Sequence, residues 1–147
     1  MNHLIRVKIL AGALLLASTH YPAWGEEPLS TAPVVTPLLE SSETILHQPI
    51  AYPTGTAKIA ASIVTIPPGA ETGWHIHPVP LFGYVLEGEL AVDYGGDEGF
   101  HIYRQGDSLL EAIDWPHNGM NRTHAPVRIL VVTMGAEGAP NAIVEPR

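Results

Sequence analysis

The residues with the clearest chemical potential in this chain are histidines. His75-Ile76-His77 places two imidazoles at positions i and i+2, and on a β-strand such positions project from the same face. That is the geometry of a chelating pair for a transition metal; for a His-x-His taken alone, two solvated or core histidines are the alternative. His117 follows three or four strand-length runs later, far enough for an antiparallel sheet to curl back and set a third imidazole opposite the pair. His75, His77 and His117 are therefore the expected metal ligands, forming one face of a coordination sphere. Glu111, six residues before His117, is the expected catalytic side chain: a base just outside the ligands, or a group that orients one of them. Its alternative is a solvated strand carboxylate. Asp114 is read as a turn former, Asn121 as a residue bonding its own turn, His101 as an exposed strand position, and His47 and His124 as surface residues.

Short runs rich in Ile, Val, Leu and Tyr must position these side chains: 58–66, 74–77, 82–86, 89–94, 100–103, 108–112 and 127–134. Between them stand Pro67-Pro68-Gly69, Glu87-Gly88, Gly95-Gly96-Asp97, Gln105-Gly106-Asp107 and Asn118-Gly119, all read as turns. This spacing predicts an all-β antiparallel sandwich or barrel with no helix after residue 25. If the alternation runs inward at His75, His77 and Leu81, then Leu81, Val85 and the stretch 131–134 line an apolar pocket suited to a small substrate with one or two oxygen donors. At 147 residues one domain is expected, and the net charge of −8, with 7 basic against 15 acidic residues, excludes the basic stripe that nucleic acid or an anionic membrane would need. The absence of cysteine excludes disulfides, iron–sulfur clusters, thiolate metal sites and a thiol nucleophile.

The spacing resembles the cupin superfamily, whose members are small double-stranded β-helix barrels. Its first motif is matched by Gly69, His75, His77 and Gly88, and its second by Gly106, His117 and Asn121. Two departures stand out: Leu81 occupies the place of the first motif's glutamate, and Ala112 and Asp114 replace the proline and glycine of the second. The resemblance implies a cupin jelly-roll barrel with a three-histidine site lacking the usual carboxylate ligand. It further implies a divalent transition metal (Fe, Mn, Ni, Cu or Zn) and, as first expectation, a dioxygenase of the three-histidine kind acting on a small oxygen-donor substrate. A non-enzymatic small-molecule or metal-binding module and a metal-dependent isomerase or lyase are the alternatives, because the fold serves many chemistries.

Arg6 and Lys8 precede an apolar run over residues 9–17 that is too short to span a bilayer. With Ala23-Trp24-Gly25 before Glu26-Glu27, this is the pattern of a signal peptide over 1–25 cleaved near Gly25, predicting a periplasmic or secreted protein without a stable membrane anchor. A Pro-rich arm is expected over 26–43 and a single barrel domain over 44–147. A homodimer is expected, with Leu86, Leu90 and Val92 as outward apolar positions for a second copy to cover.

Overall fold

The computed structural model describes residues 32–146, so the expected signal peptide, its cleavage site and residues 26–31 of the expected arm lie outside the described residues. Nine strands follow in order: β1 (Ala57–Ile66), β2 (His75–Ile76), β3 (Leu81–Glu87), β4 (Glu89–Asp93), β5 (Phe100–Arg104), β6 (Ser108–Leu110), β7 (Asn118–Met120), β8 (Val127–Ala136) and β9 (Ile143–Val144). Among the described residues there is no helix. Four strands form one sheet in the order β1-β8-β3-β6, three form a second as β5-β4-β7, and β2 pairs with β9; all these pairs are antiparallel. The all-β expectation is met.

Alternation explains how the two larger sheets face one another. Along β3, Leu81, Gly83 and Val85 are buried while Phe82, Tyr84 and Leu86 are only half-buried, as a strand with one face on a core requires. The buried core takes Ile66 from β1, Val85 from β3, Leu109 from β6 and Ile129 from β8, and meets Leu90 and Val92 from β4 in the other sheet. Leu90 and Val92 are thus inward residues, 5% and 1% exposed, which corrects the expectation that they form an outer patch. Outward apolar residues occur on both sheets, Phe100 and Ile102 on β5 and a larger set on the four-stranded sheet, where the register sets Ala61, Val132, Phe82 and Leu110 in one row and Ile63, Leu130 and Tyr84 in another.

Two further expectations are corrected. Asn118-Gly119 lies within strand β7, not in a turn. The Asn118 side chain donates to Glu71, and the Thr72 hydroxyl accepts from the Gly119 amide. These side-chain bonds hold a pair with turn-forming composition in an extended ladder. The run 74–77 contributes only a two-residue strand, paired with β9.

Asn121 does bond its own turn. Its carboxamide donates to Ile66 O and Ala125 O and accepts from the Thr123 amide and hydroxyl, stitching β1 to the loop before β8. Asp114 sits in the left-handed region at φ 51° and donates its amide to His77 O, the turn role expected of it. Before β1, the exposed stretch 32–43 gives way to a turn in which Gln48 clasps Ile113 through both its backbone groups, fixing the loop that leads to His117.

Candidate metal centre

The backbone brings the three histidines together before any ligand is considered. His75 and His117 exchange two backbone hydrogen bonds, each 3.0 Å, which sets them directly opposite one another across a narrow pair. His77 bridges to Ile113 and accepts the Asp114 amide at 3.0 Å, so the second imidazole is tied to the same loop. The ring centroids are 4.5 Å apart for His75–His117, 4.8 Å for His75–His77 and 5.2 Å for His77–His117. One nitrogen from each ring falls within 4.8 Å of the others.

Each ring is also held in one tautomer. His75 Nδ1 lies 2.8 Å from Gly73 O, His77 Nδ1 2.7 Å from Asn141 O, and His117 Nδ1 2.8 Å from Trp115 O. A carbonyl oxygen only accepts, so each Nδ1 carries a proton and each Nε2 presents a lone pair. A metal needs this arrangement, in which the outer nitrogen is anchored and the inner one is free to bind. Burial pushes His77 and His117 down to about 4, keeping both neutral across the physiological range.

Glu111 lies beside these rings, 6% exposed, and is not a solvated strand carboxylate. Its Oε1 accepts from the Tyr94 hydroxyl at 2.7 Å and the Ala112 amide at 2.8 Å, and its Oε2 faces His117 Nε2 at 3.7 Å. Burial raises its pKa, with the Tyr94 and Ala112 hydrogen bonds opposing. Burial likewise raises Tyr94 and lifts Tyr103 to about 12, so both phenols stay protonated. Tyr94 was not singled out in the sequence: it shares a strand face with Leu90 and Val92, which were expected to point outward, and all three are buried. Asn141 and Trp115 carried no local signal, because they act through backbone oxygens.

The free nitrogens open on a cavity of about 130 Å³. Its walls include Leu81, Leu90, Val92, Leu109, Ile129 and Val131, with Thr72, Glu111 and the histidines as the polar groups. Leu81 and Val131 line it as expected. Val85 instead sits in the fully buried core, and Val132 and Met134 point to a groove on the outer face. His101 is half-buried with its ring 5.0 Å from Tyr94, outside the histidine cluster and less exposed than expected. His47 and His124 are exposed surface residues.

Two facing antiparallel sheets with a three-histidine cluster at the mouth of the interior define a double-stranded β-helix with a candidate metal centre. Residues 62–133 match the family model described as a cupin domain, and this domain belongs to the cupin superfamily. A comparison with curated proteins by sequence finds no match. Among solved structures, an oxalate decarboxylase formate complex from Lactobacillus farciminis superposes with a TM-score of 0.51 at 24% identity, covering 58% of this chain and 26% of that one. A DMSP lyase from Ruegeria pomeroyi DSS-3 gives 0.51 at 23% identity over 58% and 42%. A recombinant oxalate oxidase in complex with glycolate gives 0.50 at 22% identity over 58% and 45%. This chain therefore matches less than half the length of each, and the likeness is one of fold.

Proposed function

We propose that this protein is a metal-dependent cupin enzyme acting on a small substrate that reaches the metal through one or two oxygen donors, with dioxygenation as its reaction. The observation that carries the reading is the set of three imidazoles, each anchored through Nδ1 to a backbone carbonyl and each turning Nε2 toward one apolar cavity. His75, His77 and His117 would hold the ion. When bound, a divalent transition metal supplies Lewis acidity toward a substrate oxygen and, for Fe, Mn or Cu, redox chemistry with O₂. The cavity is well below the roughly 300 Å³ at which drug-sized ligand pockets begin, so it favours a substrate of few atoms.

The test is oxygen uptake by the Fe(II)-loaded full chain against a panel of small hydroxy acids, diketones and enols. Stoichiometric O₂ consumption that His117→Ala abolishes supports the reading. Turnover of a panel member without oxygen consumption would move the protein to the lyase or isomerase class. We further propose export of the chain, on the charge order of residues 1–25; N-terminal sequencing that finds Met1 intact on the native protein rejects it.

A further inference from the structure

We propose that Glu111 is itself a ligand of the metal, so that the donor set is three imidazoles and one carboxylate. This rests on the metal-binding reading above, and it replaces the role just outside the ligands expected from the position of Glu111 in the sequence. The carboxylate is fixed by its own hydrogen bonds. Both donors that reach it, the Tyr94 hydroxyl and the Ala112 amide, bond Oε1, and the Trp115 indole in turn donates to Tyr94 O at 2.8 Å. Among the described residues no donor hydrogen-bonds Oε2, which is turned toward His117 Nε2 at 3.7 Å.

That juxtaposition is informative because of what His117 presents. Its Nδ1–H is committed to Trp115 O, so Nε2 carries a lone pair, and a carboxylate oxygen faces it in a site where both residues are nearly inaccessible. Two acceptors that face each other at the wall of a cavity call for a proton or a metal ion between them. Donor atoms around a metal with bonds of about 2.1 Å stand about 3.0 to 3.4 Å apart in octahedral or tetrahedral geometry. The Oε2–Nε2 separation of 3.7 Å approaches that spacing, whereas the ligand atoms already within 4.8 Å of one another are those of the three histidines alone, so Oε2 must move toward His75 and His77 to join them on one ion.

The sheet explains how a carboxylate arrives there although residue 81 is leucine. Past the Phe82–Leu110 pair, the Glu111 amide donates to Leu81 O at 2.9 Å, making Glu111 the cross-strand neighbour of Leu81. A carboxylate at either position of this pair reaches the same end of the barrel interior. Here Leu81 serves as cavity wall and Glu111 supplies the oxygen. Were His75, His77, His117 and Glu111 to hold a six-coordinate ion, two positions would remain for the oxygen donors of a substrate or for one donor and a small co-substrate.

Titration of the metal-free full chain with Zn(II) and Co(II), wild type against Glu111→Gln, tests this. Glutamine keeps an oxygen where Tyr94 and Ala112 donate and places an amide nitrogen, which has no lone pair to give, where Oε2 stood. The expected result is a loss of affinity of about 10- to 100-fold or more with a changed Co(II) visible spectrum. Equal affinity and an identical spectrum, with wild type still binding one ion per chain, overturn the proposal and leave the three-histidine site standing. Wild type that binds no ion overturns both. A second measurement needs no variant: the infrared difference between Zn-loaded and metal-free wild type labelled with ¹³C-glutamate. A label-sensitive carboxylate shift is expected, and its absence means that Glu111 stays off the metal.

Discussion

The three histidines share one local device, an Nδ1–H given to a backbone carbonyl, and they take it from three different loops: Gly73, Trp115 and Asn141. Because the partners are main-chain atoms, no side-chain substitution at those positions removes them directly, and ring orientation follows from the fold itself. The rings also make the metal-free protein sensitive to acid. An unfolded imidazole titrates near 6.5, whereas folded His77 and His117 take up protons only near 4, because burial disfavours the charged ring. Between those values the unfolded chain binds more protons, so stability falls as the pH drops from about 6.5 toward 4. Glu111 acts in the opposite direction: its raised pKa favours the fold as the pH falls from above 4.5. Two imidazoles outweigh one carboxyl. We therefore expect the urea midpoint of metal-free protein to be lower at pH 5 than at pH 7, by an amount equivalent to about 1 to 3 kcal/mol. The difference should shrink in His117→Gln, and a midpoint that rises on acidification would contradict the assignment.

At the scale of elements, the turn between β3 and β4 shows why certain glycines are needed. Gly88 has φ +83°, and a Cβ there would stand 2.7 Å from Pro126 O and 3.2 Å from the Val127 backbone. Neither neighbour is the end of a flexible side chain, so Gly88→Ala is expected to cost about 1 to 3 kcal/mol in chemical denaturation. A variant as stable as wild type would show that the turn relaxes freely. Much of this architecture was legible in the sequence. Period-2 runs marked β1, β3, β4, β5 and β8, and His-x-His on a strand marked the chelating pair. What escaped had a physical reason. β7 was hidden because Asn118-Gly119 has turn chemistry that the Glu71 and Thr72 side chains override. β9 is two residues long and exists only as the partner of β2, a pairing that no local pattern announces. The apolar character of Leu90 and Val92 was plain, but their direction was not, since deciding which face is inward requires knowing where the second sheet lies.

For the whole molecule, the outer face of the four-stranded sheet is apolar across all its strands, and β1 is a ten-residue edge paired on one side only. Ile59 and Ile63 are 71% and 53% exposed there. We propose that this face, and not the inward Leu90 and Val92, supports the expected homodimer. Light scattering should find a dimer at micromolar concentration that Ile59→Glu/Ile63→Glu converts to monomer; a monomeric wild type removes the idea. Inside the barrel, the account depends on one ion at one place. Binding of an ion at 100 times its dissociation constant raises stability by about 2.7 kcal/mol, so occupancy is visible in melting as well as in mass. The most direct measurement is metal content per chain, by elemental mass spectrometry, of the natively purified full chain beside His75→Ala/His77→Ala and His117→Ala. The account predicts about one transition-metal ion per wild-type chain and none in either variant. A well-folded wild type that carries no ion and takes up none from Fe(II), Mn(II), Ni(II), Cu(II) or Zn(II) would contradict it.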